Sequence, residues 1–195
     1  LGARIAADGQ WRFPSGASVP EKFRIALVTY EDKRFSYHPG IDPLALARAI
    51  RVNFSQGRTA SGASTISMQT IRLARESQPR SYLNKVIEML LALRLEMQYS
   101  KQEIIGLYAA HAPFGGNVVG LEAASWRYFG RDPTHLSWAE TCTLAVLPNS
   151  PSLIHPGRNR DLLLKKRNRL LQSLHKVGQL SDLDLDLALL EAIPQ

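Results

Sequence analysis

Apolar residues recur along this chain at steps of three and four, the spacing that lines one face of a helix. The pattern is plainest over 82–99, where Leu83, Val86, Ile87, Leu90, Leu93 and Met97 predict an amphipathic helix. Phe23, Leu27 and Tyr30 mark a second over 21–31, and Leu44, Ala47, Ile50 and Phe54 form one stripe over 43–54. Polar punctuation sets the starts. Asp42-Pro43 joins a side-chain acceptor for free N–H groups to a residue that fits the first turn. Ser100 with Glu103, and Ser137 with Glu140, have capping-box spacing, predicting helices from Lys101 and from just before Trp138. Further helices are predicted from near Ser64 to Arg75, over about 162–176, and in the tail where Leu and Asp alternate. Residues 55–63, 111–120 and 148–160 are rich in Gly, Pro, Asn or small polar residues and read as loops. Strand signals are weak, with one small hairpin expected near 52–62, so the expected fold class is all-α (mainly α).

Composition adds a class and a charge. With 195 residues, 45% hydrophobic and 21% charged, the chain suits one globular domain and excludes a disordered or collagenous one. A single cysteine, Cys142, excludes an intrachain disulfide or a four-cysteine zinc site. The longest stretch without Asp, Glu, Lys or Arg, Ile104 to Leu121, is broken by Gly106, Pro113, Gly115, Gly116 and Asn117 and does not read as a bilayer helix. Lys+Arg outnumber Asp+Glu by 24 to 17, a net +7 that favours an anionic partner or serves solubility.

Common catalytic signatures are missing: no phosphate loop, GxGxxG, HExxH or GxSxG is present, and the five histidines lack ligand spacing. A Ser-x-x-Lys at Ser173 and Lys176 lies on a basic helix without a companion KTG element. Three polar features remain. Glu31 and Asp32 close the 21–31 helix, where the negative end of the dipole disfavours acids. Ser64, Thr65 and Gln69 sit behind a glycine loop at a helix start, where free N–H groups and hydroxyls suit phosphate, with Arg72 and Arg75 one and two turns on. Lys85 and Glu88 lie three apart near the apolar seam of the 82–99 helix. Each has a structural reading when taken alone: a solvated helix end, an N-cap, and a surface ion pair contributing ~0.3–0.5 kcal/mol.

Taken in order, these features resemble the family-51 peptidoglycan glycosyltransferase domain of class A penicillin-binding proteins. EDKRFSYHPGID (31–42) resembles the family's ED-x-x-F-x-x-H-x-G-x-D block, and GASTISMQ (62–69) its G-x-STI-x-x-Q block. Asn84-Lys85-x-x-Glu88 resembles RK-x-x-E, while 100–116 with 123–131 resembles the fourth block and KKRNRLLQSL (165–174) the closing basic helix. The APFGGN and AVLPNSPS stretches are most like the 1C subtype.

The resemblance implies a lysozyme-like α fold with a smaller, mobile jaw at about 41–80, and an anchor and transpeptidase domain outside this chain. It implies polymerisation of lipid II into glycan strands on the outer, periplasmic face of the bacterial cytoplasmic membrane. Lipid II, the growing glycan strand and the membrane surface are the implied partners, with divisome or elongation proteins beside them and no nucleic acid. Glu31 is the implied general base, and burial or Asp32 should raise its pKa. Lys85 and Glu88 join it as catalytic residues, Glu88 orienting Lys85. Asp32, Phe35, His38, Ser64, Thr65, Gln69, Arg72 and Arg167 are the implied substrate-binding set. Asp32 and Glu88 could hold a divalent cation, Mg or Mn; no organic cofactor is implied. Three positions depart from the family pattern: Met68 for Gln, Asn84 for Arg and Ala110 for Asn. These departures keep open a weakened scaffold that binds lipid II without turnover, and the fold keeps open a lysozyme-like glycan hydrolase.

Overall fold

A computed structural model describes residues 4–5, 9–13, 18–56, 62–75, 79, 81–149, 151, 154 and 156–194. It is mainly α. A short antiparallel hairpin pairs β1 (Arg4–Ile5) with β2 (Trp11–Arg12), Arg4 opposite Arg12 and Ile5 opposite Trp11. The hairpin expected near 52–62 does not form over 52–56, which continues a helix; residues 57–61 lie outside the described ones. The chain divides into two compact units, one of Leu1–Tyr30 with Ala109–Gln195, the other Glu31–Tyr108. The expected jaw, 41–80, is a part of the second unit.

The first unit holds most of α1 (Glu21–Glu31) together with α6 (Leu121–Phe129), α7 (Trp138–Val146), α8 (Arg160–Lys176) and α9 (Asp182–Leu190). Its centre is α7, buried from Ala139 through Val146 except Glu140. The predicted capping box is present: Glu140 N–H donates to Ser137 Oγ at 3.1 Å and Ser137 N–H to Glu140 Oε2 at 2.9 Å. Helix α8 lays Leu163, Leu170, Leu171 and Leu174 inward, a leucine stripe that packs on α7 and α9. Helix α6 went unpredicted, because Gly120 and Gly130 stand close on either side of a short segment. They are its caps, with φ of 92° and 66°, conformations that cost glycine little.

The second unit holds α2 (Pro43–Gln56), α3 (Ile66–Ala74), α4 (Tyr82–Gln98) and most of α5 (Lys101–His111). Each start is capped as the sequence predicts or one residue away. Asp42 Oδ1 accepts from Leu44 and Ala45 N–H, Thr65 Oγ1 from Met68 N–H and Ser81 Oγ from Asn84 N–H. Helix α3 packs against α4.

The orientation of α4 is the departure. Four members of its predicted apolar stripe face outward, Leu83, Val86, Leu90 and Met97, two others, Ile87 and Leu93, are half-buried, and its buried residues are Glu88 and Ala92. The α2 stripe is outward too, with Leu44, Ile50 and Phe54 exposed. Inward, α4 presents Lys85, Glu88, Ala92 and Glu96, spaced three or four apart. Periodicity marks a stripe on a helix; it does not mark which side of the helix is wet.

Candidate active site

The site is built on the loop after α1 and on the facing surfaces of α3 and α4. The loop is locked first. Asp32 is buried and accepts from Ile66 N–H at 3.1 Å and from His38 Nε2 at 3.0 and 3.1 Å. Gly40 N–H donates to His38 Nδ1 at 3.2 Å, so the ring proton sits on Nε2 and points at Asp32. Thr65 Oγ1 donates to Gly40 O at 2.6 Å. Phe35 is buried against the edge of the His38 ring, 6.1 Å between centroids. Gly40 has φ 99°, and a Cβ there would stand 2.7 Å from Ala92 O. Only glycine lets this loop lie so close to α4.

Asp32, Phe35, His38 and Thr65, expected to bind substrate directly, are interior residues: the polar side-chain atoms of Asp32, His38 and Thr65 bond within the scaffold, and the Phe35 ring is packed against His38. They hold Glu31 where it is. The sequence reading missed part of the same clamp. Lys101 Nζ donates to His38 O at 2.6 Å, pairs with Glu96 at 2.6 Å and lies 4.3 Å from the Phe35 ring centre. Ser67 Oγ donates to Glu96. Glu96 lies eight residues after Glu88, two turns along the inward face of α4, a spacing that could have flagged it.

Helix α3 then joins Glu31 to the cations. Gln69 Nε2 donates to Glu31 Oε2 at 2.9 Å. One turn on, Arg72 grips Glu88 with two parallel bonds, Nε to Oε1 at 2.9 Å and Nη2 to Oε2 at 2.8 Å. Lys85 Nζ donates to Ser64 Oγ at 2.7 Å and stands 3.7 Å from Glu88, and Arg72 Nη2 reaches the same hydroxyl at 3.4 Å. Glu31 with Gln69, and Ser64 with Arg72, Lys85 and Glu88, thus form two bonded groups, set side by side by Gln69 and Arg72 three apart on α3.

The electrostatics follow from the pairing. Burial by itself would push Glu88 up. The hydrogen bonds and charge of Arg72, helped by Lys85, outweigh it and hold the carboxyl below its ordinary value. The same bonds raise the Arg72 pKa against burial. Glu88 is a fixed anion that aligns two cations.

Three expected residues are engaged within the fold. Arg167 lies in the other unit, fully buried, donating from Nη1 to Glu191 O at 2.6 Å, from Nη2 to Leu189 O at 3.4 Å and from Nε to Asn168 Oδ1 at 2.9 Å. Its guanidinium is consumed by the fold and offers nothing to a diphosphate. Asp32 and Glu88 do not fit a divalent metal either, since Asp32 serves His38 and Ile66 and both Glu88 oxygens serve Arg72. Among the described residues no group of three or more acids, histidines or cysteines is placed to hold one.

Known proteins resemble the chain at the level of family and fold. A family described as Transglycosylase matches residues 3–175. Penicillin-binding protein 1C of Escherichia coli is 41% identical over 173 residues, covering 88% of this chain and 22% of that protein. Penicillin-binding protein 1A of Aquifex aeolicus is 35% identical over 163 residues, covering 84% and 22%. The chain spans about a fifth of the length of these relatives. The crystal structure of penicillin-binding protein 1A from Haemophilus influenzae superposes with TM-score 0.56 at 21% identity, covering 94% of this chain and 18% of that one, which fixes the fold.

Proposed function

The chain belongs to the transglycosylase family, and from that premise we propose that it polymerises lipid II into peptidoglycan glycan strands. The acceptor sugar's 4-hydroxyl gives its proton to the Glu31 carboxylate as its oxygen attacks the donor's anomeric carbon. The new C–O bond forms as the bond to the undecaprenyl diphosphate breaks, with inversion. A positioned carboxylate base is worth ~10²–10⁴-fold. Charge developing on the departing diphosphate meets Lys85 and Arg72, held in place before the reaction by Glu88. Ser64 and Gln69 orient the substrates. The segment 41–80 serves as the jaw over the bound chains.

One observation carries this reading: Gln69 and Arg72, a turn apart on α3, touch the base and the cation cluster respectively, so a sugar and its diphosphate can span them. A hydrolase has less use for such a cluster, because its leaving sugar is uncharged.

The substrate's lipid sets where the domain works. Among the described residues no helix is long and apolar enough to cross a membrane. The outward stripes of α2 and α4 instead suit contact with a periplasmic membrane face, an area of exposed apolar side chains that solvent alone would not favour. The test is polymer formation from purified lipid II. Product from the wild type and none from Glu31→Gln is expected. Lipid II bound without product would leave the scaffold reading in its place.

A further inference from the structure

We propose that Arg75, oriented by Asn84, is a further contact for the diphosphate of the lipid-linked substrate. The identity of the anion rests on the glycosyltransferase reading; the donor geometry does not. Arg75 caps the C-terminus of α3, one turn beyond Arg72. Its Nη2 donates to Asn84 Oδ1 at 3.1 Å. The amide is itself fixed, because Asn84 Nδ2 donates to Pro79 O at 2.8 Å and so leaves Oδ1 for the guanidinium. Asn84 is the residue before Lys85. The guanidinium is thereby held against the first turn of α4, the turn that carries Lys85.

Two features separate Arg75 from Arg72. Arg72 is neutralised by Glu88, whereas Arg75 pairs with no carboxylate among the described residues; its partner is a neutral amide. Its Nη1 is out of contact with solvent and has no acceptor among the described residues. A charged N–H left without an acceptor is a standing cost, and an anionic oxygen admitted beside it removes that cost. A diphosphate carries several such oxygens. The resembled block has an arginine where Asn84 stands, so α3 delivers to that place the guanidinium that α4 lacks.

The test uses lipid II as substrate and inorganic pyrophosphate as a competing probe. Arg75→Gln should raise the KM for lipid II and the inhibition constant of pyrophosphate about tenfold, with kcat changed less than about threefold, the loss of one charge-assisted contact. The melting temperature should hold or rise, since an unpaired buried donor is removed. Arg75→Ala combined with Asn84→Arg should recover most of the affinity, which a purely structural role would not produce. Unchanged affinities in folded Arg75→Gln overturn the assignment, as does a fall in melting temperature with the folded fraction binding normally. Pyrophosphate that fails to bind the wild type overturns it as well. If the wild type binds pyrophosphate but makes no glycan, the polymerase reading fails, and Arg75 is still judged on the pyrophosphate arm.

Discussion

Replacing Glu31 by Gln isolates the chemistry from the fold. The side chain is half-buried, and the Gln69 amide donates to it at 2.9 Å. A glutamine at 31 keeps the shape of the side chain and an oxygen that can accept that bond, so the part of stability carried by this contact changes by under ~1 kcal/mol, the net worth of one hydrogen bond. For a chain of this size that is a fall of about 2–4 °C or less in melting temperature. The amide cannot take the acceptor's proton. Loss of a positioned base lowers turnover ~10²–10⁴-fold, about 2.7–5.4 kcal/mol of barrier at 1.36 kcal/mol per decade. Both quantities come from one preparation: polymer length and yield from lipid II by gel separation, and unfolding by circular dichroism. Polymer formed at more than a few percent of the wild-type rate refutes the assignment. So does a melting temperature lower by more than about 6 °C, because the lost rate would then report an altered fold.

Lys85→Ala should cut turnover roughly 10²-fold while moving stability little, because the side chain is part-exposed, bonding the Ser64 hydroxyl at 2.7 Å and standing 3.7 Å from Glu88; normal turnover in a destabilised protein would make Lys85 structural. Glu88→Gln should lower the melting temperature at pH 7 and lose that effect in acid. The folded carboxyl lies below its ordinary value, so its contribution is complete above about pH 4.3 and disappears as pH falls through the folded pKa. Melting curves from pH 7 to about pH 3 check this, and a gap that widens in acid contradicts it. Gly40→Ala should destabilise by roughly 2–3 kcal/mol through its φ of 99° and the 2.7 Å approach of Ala92 O, read as a lower denaturation midpoint; a neutral result would show that the loop is not clamped to α4.

Helices were legible in this sequence because caps and periodicity are local. Ser137 with Glu140, and Asp42 before Pro43, mark their helix starts within four residues. The facing of α4 was not legible, since an apolar stripe at 83, 86, 87, 90, 93 and 97 predicts one face without saying what lies against it, and only 83, 86, 90 and 97 are exposed. The acid and cation residues could be gathered by resemblance, and Glu31, Gln69, Arg72, Lys85 and Glu88 do lie together. Their division into presenting and supporting groups could not. Whether His38 meets a ligand or Asp32 depends on tertiary neighbours, and so does the fate of Arg167. The basic run 165–169 looked like a cationic surface, yet its middle arginine turns inward at the one position aligned with the leucine stripe.

That inward turn has a practical edge. The recognisable family sequence stops at 175, before α9, yet α9 and the residues after it supply the acceptors at Leu189 and Glu191 for Arg167, and at Ile193 and Pro194 for Arg160. A protein trimmed at the family boundary loses these acceptors and uncovers the side of α8 and α7 on which α9 packs. Anyone cutting this domain out for expression by sequence similarity alone should expect insoluble material, and should carry the cut past residue 194.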